Sequence, residues 1–432
     1  MEYIRQIVIL FLTISCCLLS SCTTYASVRE SSSIIILGNT GELSALTQDM
    51  FVSPNTIYVL RDNFDLDNLT IKLPENCIVR FSDSGHLSNG KLVGNKTVID
   101  CHKHTFNNVC FEGNYETTCV KLSWFDYQQN DYSQIINNLL CCFQSIEIDG
   151  TFEIESDIKM NAGSTLHGIG TLIMKDASVV CENLGRINKN REAIDGFVIE
   201  GIKFKVETPK SLKPVILIKH CYDSRIANIE IADNKNRFQN SQWTGIKVYA
   251  ENKIGGCCFL NVDNVKIMNP YIGVHLYNES GFGAYNSKTA GYITACNFNN
   301  IIVDRFVYAG FEISGPKVYS NNFSNCHLSS NYASHEKKRY GLKIDNDSGN
   351  NFTNISIWAD SKGHNSQFFA IDIDKGKTIH KTTITGYVEG YLTERTKKIL
   401  EDNSLVNFFW QDADSQNYPK AEVKNRGHFN IK

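Results

Sequence analysis

Several features are missing from this chain, and each absence narrows what it can be. Proline is scarce, with seven residues in 432. No basic stripe is visible and the formal charge is only −3, so nucleic acid is not an expected partner. The cysteines show no CxxC spacing that would hold zinc. No glycine-rich nucleotide loop and no serine elbow appear. The sole long apolar run, Ile7 to Leu19, is too short for a comfortable membrane span. With 42% hydrophobic and 21% charged residues, the chain has ample apolar content for a core and is not disordered.

What is present begins with a targeting segment. "MEYIRQIVILFLTISCCLLSSC" carries Arg5, then the apolar run, then small residues and a cysteine. Leu19-Ser20-Ser21-Cys22 resembles the lipobox of bacterial lipoproteins, which implies acylation of Cys22 after removal of residues 1–21. A simple secretory signal cut near Ala26 is the alternative. No aspartate follows Cys22, which by the same resemblance favours the outer membrane. Twelve cysteines follow Cys22. An exported chain with so many normally builds disulfides, but the adjacent pairs Cys141-Cys142 and Cys257-Cys258, and Cys296 and Cys326 beside apolar runs, fit buried, reduced packing thiols better.

Internal repeats decide the fold. "NVDNVKI" (261–267), "NFNNIIV" (297–303), "NFSNCHL" (322–328) and "NFTNISI" (351–357) share one pattern. Between them runs a second series: "GIKV" (245–248), "GVHL" (273–276), "GFEI" (310–313), "GLKI" (341–344) and "AIDI" (370–373). Members recur every 25–37 residues or so, too short an interval for much besides two or three strands. This texture predicts an all-β, right-handed parallel β-helix, a solenoid whose asparagines ladder from coil to coil and turn corners in the left-handed region. A β-propeller is the alternative. Residues 22–45 read as a linker, 46–118 as a small N-terminal β region, 119–415 as the β-helix and 416–432 as a tail. Asp131, with Gln134 three residues on, reads as a capping box opening a short helix that bears Ile135, Ile136, Leu139 and Leu140. That helix and "YLTERTKKILED" (391–402) are the expected caps of the solenoid.

The stretch 55–101, then "WFDYQQNDYSQIINNLL" (124–140) and the NF-x-N coils resemble the pectate-lyase-like β-helix proteins that Gram-negative glycan degraders secrete as lipoproteins. That resemblance implies an enzyme acting on polysaccharide, commonly a lyase or a glycosidase.

The second strand series supplies the chemistry. Residues alternating with the apolar ones face outward and form two columns. The first is Lys247, His275, Glu312, Lys343 and Asp372; the second is Tyr249, Tyr277, Ser314, Asp345 and Asp374. The insertion after Tyr277 and the loop "NYASHEKKRY" (331–340), with His335, Lys337, Lys338 and Arg339, are expected to wall a groove that suits an anionic glycan.

Two mechanisms compete. In β-elimination on a uronate, His275 is the expected base, Tyr277 or Tyr249 the acid, and Lys247 or Lys343 the neutraliser of the carboxylate. Glu312, Lys343, Asp345 and the basic loop are expected to hold substrate. In hydrolysis, Glu312, Asp345 and Asp372 would furnish a carboxylate pair, although the Asp-Asp and Gly-His-Gly motifs of polygalacturonase-like hydrolases are absent. The expected activity is therefore a lyase of an acidic polysaccharide, a glycosaminoglycan such as chondroitin sulfate first and pectin second. A β-helix hydrolase and a non-catalytic glycan-binding surface protein are the alternatives. No metal site is expected, since the oxygen-rich "DNDSGN" (345–350) fits no EF-hand spacing; calcium, which many pectate lyases use, is the weaker alternative. The protein is expected to act as a monomer. Growth with a labelled fatty acid should tag the wild-type chain and leave Cys22→Ser untagged; equal labelling of both would overturn the lipobox reading.

Overall fold

The computed structural model describes residues 33–38, 44–126, 131–182, 196–233, 241–251, 256–279, 291–330, 338–345, 349–359, 368–374, 382–401, 406–411 and 426–430. Cys22 and the leader, the tail 416–425, His335 and Lys337 lie outside them.

Strand stacks upon strand in parallel along nearly the whole of the described chain. A 16-stranded sheet and an 8-stranded sheet face each other across the core, and a 3-stranded sheet of two-residue strands lines one corner. Among the described residues the sole antiparallel pairing is the last, Val406–Gln411 with Arg426–Asn430. The chain is a parallel β-helix; a right-handed winding is the sense that parallel crossovers adopt.

The repeated motif divides its work by position. Its first asparagine makes the ladder: Asn297 donates to Asn261 at 3.0 Å, Asn322 to Asn297 at 2.9 Å and Asn351 to Asn322 at 2.9 Å. Its aromatic residue stacks inside, with Phe298, Phe323 and Phe352 each 4.7 Å from the next. Its fourth residue turns the corner, and Asn264, Asn300, Asn325 and Asn354 all hold φ between 53° and 55°, where asparagine is tolerated best after glycine. A second, buried ladder joins Asn321 to Asn350 at 3.0 Å.

The leading glycine of the other series has a packing reason. A Cβ on Gly273 would meet Val303 Cγ1 at 2.5 Å, and one on Gly341 would meet Ile357 Cγ2 at 2.2 Å. The large residue of the 16-stranded sheet shares that room with a carbonyl of the next coil, Gly310 O and Ala370 O each lying 2.6 Å from the added atom. Inward positions then alternate cleanly: Ile246, Val274, Phe311, Leu342 and Ile371 stack in one buried row, and Val248, Leu276, Ile313, Ile344 and Ile373 in the next.

The N-terminal part departs from expectation. Ser33–Leu37, inside the stretch read as linker, pairs in parallel with Thr56–Leu60, which pairs with Ile78–Phe81. The strands of residues 46–118 are thus parallel coils with a shorter period, and they belong to a 9-stranded sheet distinct from the other three. The repeat was hidden there because the outward column is apolar as well, with Ile34, Ile57 and Ile78 in register, so the strands lack alternation.

The first helix, α1 (Ser133–Cys142), is a joint rather than an end cap. Asn138 accepts from the Phe111 amide at 2.9 Å and donates to its carbonyl at 3.0 Å. Asn137 does the same for the coil above, accepting from Lys159 N at 2.7 Å and donating to Asp157 O at 2.9 Å. Two side chains thereby satisfy strand edges on both sides of the helix. Asp131 accepts from the Ser133 amide at 3.0 Å, one residue further out than an N-cap. The second helix, α2 (Glu394–Glu401), closes the last strand of the 8-stranded sheet as expected: Arg395 donates to Ile373 O, and Leu400 is buried.

All twelve cysteines from Cys77 onward are free thiols, eight of them buried. Burial pushes Cys257 and Cys326 up to about 12, which leaves them inert.

Gly341→Ala should cost about 1–3 kcal/mol by overpacking and lower the melting temperature. Combining it with Ile357→Ala, which removes the obstructing methyl, should cost less than the two single losses added; strict additivity would overturn this packing account.

Candidate functional site

The 8-stranded sheet carries the expected strip in the expected register. Lys247 pairs with His275, His275 with Glu312, Glu312 with Lys343 and Lys343 with Asp372. Tyr249 pairs with Tyr277, Tyr277 with Ser314 and Ser314 with Asp345. Strands about 4.8 Å apart thus bring these side chains into one ribbon. Asp374 follows Asp345 by a backbone bond, its amide donating to Ile344 O at 3.0 Å.

His275 sits at the middle of the ribbon, its side chain 14% exposed. Nε2 lies 3.2 Å from Ser314 Oγ and 3.9 Å from Glu312 Oε2. Burial pushes its pKa down to about 4; Glu312 opposes this, and the ammoniums of Lys247 and Lys343 add to it. The imidazole is therefore neutral at physiological pH and has a lone pair to offer.

Its neighbours divide into committed and uncommitted groups. Lys343 donates to Glu312 Oε1 at 2.9 Å and to the Tyr308 hydroxyl. Burial alone would lower its pKa, but Tyr308 and Glu312 outweigh that and hold it above the ordinary lysine value. Tyr249 donates to Glu251 at 3.1 Å and to Glu279; burial and these two carboxylates raise its pKa. The Tyr249 hydroxyl thus keeps its proton and directs it at carboxylates. Tyr277 differs. Its ring lies 5.4 Å from that of His275, and among the described residues no group engages its hydroxyl. Lys247 stands over the rings of Tyr277 and Tyr249, at 5.0 Å and 5.6 Å, and burial lowers its pKa.

The basic loop is partly a correction too. Lys338 is at the surface, 5.7 Å above the Phe369 ring. Arg339 is 1% exposed, donating to Ser330 Oγ at 2.8 Å and lying 6.0 Å from the Phe368 ring. It is a core residue and does not wall a groove. Lys338 stands just before the strand and Arg339 begins it, so the second of the two turns inward. In "DNDSGN", Asn350 is the buried ladder residue that donates to Val318 O at 3.0 Å. Among the described residues no three His, Cys, Asp or Glu side chains gather as a metal-holding group.

Sequence reasoning missed a third column, Tyr271, Tyr308, Tyr340 and Phe369, at the start of the same strands. Tyr271 and Tyr308 stack at 5.0 Å, and Tyr340 and Phe369 at 5.7 Å. An aromatic residue one or two places before each leading Gly or Ala was the available signal. Between these two stacks Tyr308 meets Tyr340 edge to face at 5.4 Å, and Lys343 lies over both rings, at 4.9 Å and 5.6 Å. Its role in the site is to hold Lys343 through Tyr308.

Comparison with family models, curated proteins and solved structures finds no match for this chain. The reading of the site rests on its own geometry.

Because His275 is held near 4 while an unfolded histidine titrates near 6.5, the unfolded chain binds the proton first. His275 therefore makes stability fall as pH drops from about 6.5 towards 4. The His275 ring resonances should stay at their neutral positions down to about pH 5, and His275→Gln should flatten that part of the stability curve. A midpoint near 6.5 in the folded protein would overturn the burial argument.

Proposed function

We propose that the strip is the active site of a polysaccharide lyase, acting on an acidic, uronate-containing glycan by β-elimination. The observation that carries the reading is the buried neutral imidazole of His275, near the ammoniums of Lys247 and Lys343 and beside a phenol whose hydroxyl no group engages among the described residues. Elimination needs three things at one sugar: charge to neutralise the carboxylate, a base for the α-proton and an acid for the departing oxygen. Lys247 supplies the first, His275 the second and Tyr277 the third.

In the step, His275 takes the C5 proton and that electron pair becomes the C4–C5 double bond. The C4–O bond breaks, and the leaving oxygen takes its proton from Tyr277. A base of pKa about 4 is weak in the empty site, but an anionic substrate favours the protonated imidazole and so strengthens it as the sugar binds. Ser314, within hydrogen-bond reach of Nε2, orients the ring. The resemblance to pectate-lyase-like lipoproteins supports the same substrate class, with a glycosaminoglycan such as chondroitin sulfate first. It also supports a lipid anchor at Cys22 and an outer-membrane location.

Glycoside hydrolysis is a second reading with one observation in its favour. Burial raises the pKa of Asp372, ahead of a smaller push from Asp374 and against Arg395, as a general acid requires. Asp372 lies two coils from Glu312, about 9.6 Å in strand spacing, at the outer limit for an inverting pair. Glu312 is, however, committed to Lys343.

The purified protein should produce the ultraviolet absorbance of an unsaturated uronate on one member of a panel. That panel holds chondroitin and dermatan sulfates, hyaluronan, heparan sulfate, pectin and alginate. His275→Ala should lower turnover by about 10²–10⁴ and leave binding intact. New reducing ends without absorbance, lost in Glu312→Gln and Asp372→Asn, would transfer the assignment to hydrolysis. Binding with neither signal would leave a glycan-binding protein.

A further inference from the structure

Lys219 ends the strand Pro214–Lys219, one coil below Tyr249 in the second outward column. Its ammonium lies 5.5 Å from the centre of the Tyr249 ring. Lys247 lies 5.6 Å from that same centre and 5.0 Å from the centre of Tyr277. Two ammoniums thus share one aromatic ring, and among the described residues neither has an ion-pair partner.

The carboxylates of the neighbourhood are hydrogen-bonded to other groups, while Glu279 and Glu312 still favour the charged form of Lys247 through space. Glu251 and Glu279 accept from the Tyr249 hydroxyl, Glu251 also faces His220 Nε2 at 3.7 Å, and Glu312 holds Lys343. A ring face stabilises an ammonium by roughly 0.5–2 kcal/mol but does not cancel its charge. Burial disfavours the protonated form of half-buried Lys247, Glu279 and Glu312 favour it, and Lys219 disfavours it in turn. Two ammoniums set against one ring, neither held in an ion pair among the described residues, form a place where an anion gains from both.

We infer that Lys219 and Lys247 form a two-ammonium seat for the carboxylate of a uronate residue, floored by the Tyr249 ring. The inference rests on the reading above only in putting a uronate on this strip. A carboxylate has two oxygens to share between two donors. Since Lys247 is in register with His275, a sugar seated there presents the carbon that bears its carboxylate to the imidazole. The ordering of Tyr249 by two glutamates then has a purpose: it fixes the floor of the seat.

Calorimetry with unsulfated chondroitin and galacturonan tetrasaccharides, intact or carboxyl-reduced, tests the seat. Lys219→Gln and Lys247→Gln should each weaken binding of an intact sugar about tenfold. Lys219→Arg should retain most of the affinity, and all four proteins should bind the carboxyl-reduced sugars alike. The seat is overturned if Lys219→Gln binds as the wild type does, if its loss is as large on the reduced sugars, or if the wild type does not prefer the intact ones. A preference that follows sulfate on chondroitin sulfate rather than the carboxylate overturns it as well. Ultraviolet absorbance of the same samples separates the two proposals. Carboxylate-dependent binding without an unsaturated product keeps the seat and removes the elimination. Product formed by Lys219→Gln at the wild-type KM keeps the elimination and removes the seat.

Discussion

Parallel stacking at a fixed spacing is the constraint on which the rest depends. Each coil satisfies the backbone groups of the coil before it, so residues at equal register sit about 4.8 Å apart along the axis. Like side chains therefore meet like. That favours groups able to pair with themselves, which is why asparagine amides chain together and phenylalanine rings stack. It penalises repeated charge of one sign. The outward columns answer by alternating Lys247, His275, Glu312, Lys343 and Asp372, and by laying Lys219 and Lys247 on tyrosine faces.

The same constraint makes interruptions costly, because a coil without a neighbour leaves a whole edge of amides and carbonyls unpaired. The junction helix shows one solution. Asn137 and Asn138 each imitate a strand by accepting one backbone bond and donating another, so two solenoid sections of different period join without an open edge. The antiparallel last pairing shows another, since a strand that reverses direction ends the winding.

At the strip, register sets proximity and burial sets reactivity. His275 and Glu312 are neighbours because their strands are, but His275 is neutral because little water reaches it. Glu312 and Tyr308 keep Lys343 charged, while at Lys247 burial outweighs Glu279 and Glu312 and lowers the pKa. Two lysines in one column thus acquire opposite tendencies. Tyr249 and Tyr277 diverge in the same way, one hydroxyl donating to carboxylates and the other engaged by no group among the described residues.

By itself the sequence determined the period, the parallel stack, the asparagine corners and the membership of both outward columns. Those properties follow from spacing along the chain, and a glycine-led strand with alternating apolar residues admits one register. Tertiary structure decided what spacing does not encode. It paired Tyr249 with Glu279 across a coil of 30 residues, drew Arg339 into the core, lined up an aromatic column from strand starts of uneven offset, and brought Lys219 beneath Tyr249. Each of these depends on where a side chain at a corner or strand end points. There the period-two rule lapses, and packing against the next coil chooses the direction.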